Sequence, residues 1–83
     1  MQNLPTPLDL YLTRTKHVTA ADVGRRMAKV LKSPPSDASL SQWRTGVAAP
    51  TPETQEAMRQ ATSGKVKPQD WHRWKLRRAR VGM

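Results

Sequence analysis

Apolar residues recur along this chain three and four positions apart, in short runs, and nowhere in the sustained alternation of a half-buried strand. Leu8, Tyr11 and Leu12, with Thr15, share one helical face, and Val23, Met27 and Val30, with Leu31, share another. Leu40 and Trp43 mark a third face, and Ala57, Met58 and Ala61 a fourth. Each run is preceded by a residue suited to start a helix. Thr6-Pro7 with Asp9, Thr19 with Asp22, Ser36 with Asp37, Thr51-Pro52-Glu53 and Pro68-Gln69-Asp70 mark five starts. Thr19 and Asp22 have the spacing of a capping box, and Val18 and Val23 that of a hydrophobic staple.

The acids reinforce this reading because they are few. Five of the six fall in the first turns of the expected helices, where a negative charge near unpaired N–H groups is worth about 0.3–1 kcal/mol. Gly46 and Gly64 stand where the third and fourth helices should stop. The stretch AAPTP between Val47 and Glu53 holds two prolines and cannot be helical throughout. The pattern predicts an all-α fold: five short helices in one domain over residues 1–83, with a core over about 6–74 and a basic tail over about 75–83. Residues 1–5 and the last few residues are expected to fray.

Charge narrows the class of function. Fifteen Lys and Arg against six acids give a formal +9, which attracts polyanions. Nucleic acid is the commonest such partner, with an acidic membrane surface or acidic protein behind it. The excess is uneven: residues 65–83 carry seven cations against Asp70 alone. The absence of Cys excludes disulfides and thiolate metal sites. No run reaches the roughly 18 apolar residues of a membrane span, and no secretory signal opens the chain, so a cytoplasmic location is expected. His17 and His72 lie far apart with no acid at ligand spacing, so no metal or cofactor is expected. Without a phosphate loop, a nucleophile–base pair or a carboxylate pair in an apolar setting, the chain does not read as an enzyme.

The stretch SPPSDASLSQWRTG, from Ser33 to Gly46, carries the most specific signal. If Leu40 and Trp43 pin a short helix inward, Asp37, Ala38, Ser41, Gln42 and Arg44 are left to face a partner. Helices two and three then have the order of a helix-turn-helix, whose second helix enters the DNA major groove. Gln can pair with adenine, Arg with guanine or a phosphate, and Ala can touch a thymine methyl. The runs SLSQWRTG, PTPETQEAMRQATSGKV and QDW resemble the DNA-binding domain of Cro/CI-type phage repressors, in particular the small YdaS-type prophage regulators. The resemblance covers Ser36 to Trp71 and is weaker before it. It implies a five-helix, lambda-repressor-like fold that represses transcription by binding operator DNA, commonly as a homodimer on an inverted repeat. It places base-reading positions on Asp37, Ala38 and Gln42, phosphate contacts on Ser36 and the loop after Gly46, and a core anchor on Trp71.

Register on the duplex would come from Thr19, Ser36 and the loop from Thr45 to Thr51, with Arg25, Arg26, Lys29 and the C-terminal cluster adding attraction. The chain departs from the family between Val23 and Trp43, where roughly VLKSPP is extra. Either the second helix is longer by a turn or two, or the connection is a loop stiffened by Pro34 and Pro35. Two other functions stay open at this level: nonspecific nucleic-acid binding dominated by charge, and an antitoxin-like module whose basic C-terminal segment docks on an acidic protein. Trp74 can bury against the first helix or meet a second subunit.

Overall fold

The computed structural model describes residues 5–81, and among these the chain is all-helical. The helices are α1 (Pro7–Arg14), α2 (Ala20–Met27), α3 (Asp37–Thr45), α4 (Pro52–Ala61) and α5 (Pro68–Val81). Of the chain ends expected to fray, residues 1–4 and 82–83 lie outside the described residues, and α5 is helical up to Val81.

Four helices start as their capping residues dictate. The hydroxyls of Thr6, Thr19, Ser36 and Thr51 accept from the N–H groups of Asp9, Asp22, Ser39 and Thr54 at 3.1, 3.2, 3.1 and 3.4 Å. Thr19 and Asp22 complete the capping box, with the Thr19 N–H donating to the Asp22 carboxylate at 3.0 Å. At α5 the Lys67 N–H donates to the Asp70 carboxylate at 2.9 Å, so the acid itself supplies the cap. Gly46 ends α3 with φ +85°, and its N–H donates to the Gln42 carbonyl.

The apolar faces meet in one core built from Leu8, Val23, Met27, Leu40, Trp43, Ala57, Met58, Ala61, Val66, Trp71 and Trp74. α2 packs chiefly on α4 and also on α3, α1 packs on α3, and α5 lies across α4 and α1. Gly24 lets α2 and α3 approach closely: a Cβ there would stand 3.0 Å from the Leu40 Cδ1. Trp71 and Trp74 meet edge to face with ring centroids 5.9 Å apart, a geometry favoured by the ring quadrupoles. Trp74 is thus buried, at 7% exposure, against the start of α1 and the end of α3.

One expectation needs correction. Val30 is not part of an α2 face: α2 ends at Met27 and Val30 is 46% exposed. The cause is local. The N–H groups of Lys29 and Val30 bond back three residues, to Arg26 and Met27, which tightens and then turns the chain. Leu31 alone of the later apolar pair packs on the core. Pro34 and Pro35 then bar further helix. The α2–α3 connection is therefore an irregular loop over residues 28–36, the second of the two alternatives. Residues 75–81, the described part of the basic C-terminal segment, form the last two turns of α5.

Candidate nucleic-acid interface

Helical geometry sorts the residues of α3 by direction. Leu40 and Trp43 point inward and are 4% and 9% exposed. Ala38, Ser41, Gln42 and Thr45 occupy the opposite edge, and all four are exposed. Asp37 and Arg44 are exposed too but sit on the flank toward α1. There they line a cleft with Asp9 of α1 and with Ala20 and Ala21 at the start of α2. The outer edge is uncharged, and the Gln42 amide makes no hydrogen bond among the described residues.

Arg44 is committed elsewhere. Its guanidinium donates to the Asp9 carboxylate at 3.1 Å, and its backbone carbonyl accepts from the buried Thr6 hydroxyl at 3.3 Å. One residue therefore ties α3 to α1 twice. Thr45 bonds back within its own helix, its hydroxyl donating to the Ser41 carbonyl at 3.0 Å. The structure brings Asp37, Ser41, Arg44 and Thr45 to one cleft and leaves Ala38 and Gln42 outside it.

The expected backbone-contact residues divide as well. Thr19, Ser36 and Thr51 are exposed N-caps, each lending its hydroxyl to its own helix. Arg25 pairs with Asp22 one turn back. Arg26 reaches the other way and donates to the Ala61 carbonyl at the end of α4, at 3.4 Å, where a cation meets the negative end of a helix dipole. The loop after Gly46 is held from inside by Gln55, whose buried amide donates to the Pro50 carbonyl at 2.9 Å.

Three of the acids are paired with arginines. Besides Asp9 and Asp22, Glu56 pairs with Arg59 on α4 at 2.5 Å. Hydrogen bonding from Arg59 holds the Glu56 carboxyl below its ordinary range and raises Arg59 in turn. The most important contact not anticipated from the sequence is at α5. Arg78 donates to the Gly46 carbonyl at 2.6 Å and lies over the Trp74 ring, 5.2 Å from its centroid. The Arg-rich run gave no sign of it, because neither Gly46 nor Trp74 offers a charge of opposite sign by which a partner for Arg78 could be read from spacing.

Among the described residues no helix is long and apolar enough to cross a membrane, and no group of His, Cys, Asp or Glu is placed to hold a metal ion. Comparison of the chain with models of known protein families, with characterised proteins and with solved structures returned no match in any of the three.

Proposed function

We propose that this protein is a sequence-specific double-stranded DNA-binding regulator that presents α3 to the major groove, and that it acts as a repressor by occupying an operator. The observation that carries the reading is the outer edge of α3: Ala38, Ser41 and Gln42 exposed on a helix pinned from behind by Leu40 and Trp43. A rigid rod with an unengaged amide on its outer edge is what direct base readout requires. The exposed cap of α2 at Thr19 lies near this helix through the cleft at Ala20 and Ala21, as register contacts to a backbone would need. Arg44 is reassigned in this reading from base reader to the residue that sets α3 on α1, and Asp37 is set back with it.

The loop over residues 28–36 replaces the tight turn of the repressor family, so the pairing of α2 with α3 rests on Gly24 and Leu40 instead. A nonspecific nucleic-acid binder is the second reading, favoured by one observation: exposed positive charge is densest on α5 and not on α3. Selection from a randomised duplex library separates the two. Recovery of a recurrent motif supports base readout, and an inverted repeat with half-sites about 34–36 Å apart would add a dimer. Retained duplexes with no common motif would discard sequence-specific regulation in favour of charge-driven binding.

A further inference from the structure

A second concave feature lies on the opposite flank of α1. Asp9 faces the α3 cleft, whereas Pro7, Leu10 and Arg14 face α5 across a groove of about 320 Å³. Pro7 and Leu10, with Trp74 from α5, give this groove an apolar wall. Arg14 from α1, Lys65 from the α4–α5 loop, and Arg73 and Arg77 from α5 surround it. These four cations are exposed, and none has an ion pair among the described residues. By contrast, Arg25, Arg44 and Arg59 each have an acid partner.

Four like charges converging from three segments repel one another, and nothing in the groove but Asp70 offsets them. An anion bound there would relieve that repulsion. Planar guanidinium forks suit phosphate oxygens, and the volume lies at the lower end of the range for small-molecule sites. Asp70 restricts the chemistry further. One of its carboxylate oxygens serves the Lys67 cap at 2.9 Å, and a carboxylate in the groove repels a bare phosphate while accepting from a hydroxyl or amino group.

We propose that the α1–α5 groove binds a small organic polyphosphate of the nucleotide class. Its phosphates lie among Arg14, Lys65, Arg73 and Arg77, and its donor-bearing body lies against Asp70 and the apolar wall. The site is independent of what α3 binds. It has a mechanical consequence nonetheless: α1 holds Arg44 of α3, and Trp74 of α5 abuts Gly46 at the end of α3. A ligand clamped between α1 and α5 acts on both supports of α3 at once.

The test is a titration of the full chain with ATP, followed by calorimetry and by amide NMR shifts. Saturable one-to-one binding is expected, with the largest shifts at Leu10, Arg73, Trp74 and Arg77. Replacing both Arg73→Gln and Arg77→Gln should weaken it by about tenfold or more, through removal of charge-assisted hydrogen bonds. The paired control Lys29→Gln with Lys32→Gln, which removes the same charge elsewhere, should leave the affinity within about twofold, the residue of screened long-range attraction. All variants should melt like the parent, since the changed side chains are exposed. Inorganic pyrophosphate should bind more weakly than ATP because it lacks the body that Asp70 and the wall would hold. Non-saturating binding, equal weakening by the control, shifts centred on α3, pyrophosphate binding as tight as ATP, or displacement of ATP by a random-sequence duplex would each overturn the assignment.

Discussion

Gln42 and Gly46, four residues apart at the end of α3, show how differently two single positions can matter. Gln42 stands exposed on the outer edge of α3 and contributes nothing to the core. If α3 reads DNA as proposed, Gln42→Ala should leave the melting temperature unchanged and cost about 1–3 kcal/mol on a selected duplex, with relaxed preference at one base step; equal weakening on selected and random duplex would remove the proposed reading role. Gly46 is the reverse case. Its φ of +85° disfavours any side chain, and a Cβ would come within 3.0 Å of the Trp74 Cζ2. Gly46→Ala should lower stability by at least about 1–2 kcal/mol from the left-handed backbone alone, as read by chemical denaturation. Glu56 offers a check on charge placement. Arg59 holds its carboxyl low, so the pair stabilises above the ordinary glutamate range and its effect fades as pH falls through the folded value. Arg59→Ala should return the Glu56 carboxyl upward toward the ordinary glutamate range in an NMR titration, with a small effect on melting because the pair is exposed.

At the scale of elements, α5 is where pattern and structure part most. The run of Arg and Lys after Trp74 leaves open a solvated tail, a phosphate-gripping arm or a dimer surface; it lies in α5, and one of its members is a tertiary clasp. The spacing of Trp71, Trp74 and Arg78 puts all three on one face of α5, and only the third is charged. Arg78→Ala should remove both the Gly46 hydrogen bond and the stacking on Trp74, lowering stability by about 1–3 kcal/mol. For a domain of this size that is a fall of roughly 4–8 °C in Tm per kcal/mol. Arg80→Ala, two residues on, should stay within about 0.5 kcal/mol of the parent. If the two variants melt alike, Arg78 is a solvated charge and the clasp carries no energy. The α2–α3 loop makes the complementary point. Pro34 and Pro35 are legible as helix breakers, but whether the preceding VLK extends α2 depends on which of Val30 and Leu31 finds the core.

For the whole molecule, the distribution of charge decides more than its total. The net +9 is formal; in the fold, Asp9, Asp22 and Glu56 each pair with one arginine, and the densest run of the remaining cations lies on α5 and beside the groove it shares with α1. The edge of α3 is neutral. A DNA complex built on this protein would then draw its salt dependence from α5 and its sequence preference from α3. Lys75→Gln with Arg80→Gln, which spares the Arg78 clasp, should reduce the slope of log affinity against log salt by about 0.9 for each phosphate that is no longer neutralised. An unchanged slope would place those cations away from the duplex.

What the chain determined by itself is local. Caps, first-turn acids, the terminating Gly46 and the three- and four-residue apolar spacing act through neighbouring backbone groups, so Thr6, Thr19, Ser36, Thr51 and Asp70 could be assigned before any fold was known. Leu40 and Trp43 likewise fixed the inward side of α3, and with it the exposure of Ala38, Ser41 and Gln42. Meetings between segments distant along the chain were decided only by packing. Arg44 meets Asp9, Arg26 meets Ala61 and Arg78 meets Gly46 because five short rods came to rest in one arrangement, and no periodicity encodes which long cation reaches which distant carbonyl or carboxylate. The groove between α1 and α5 belongs to that second kind: its four cations come from three segments and share a site only once the helices are docked.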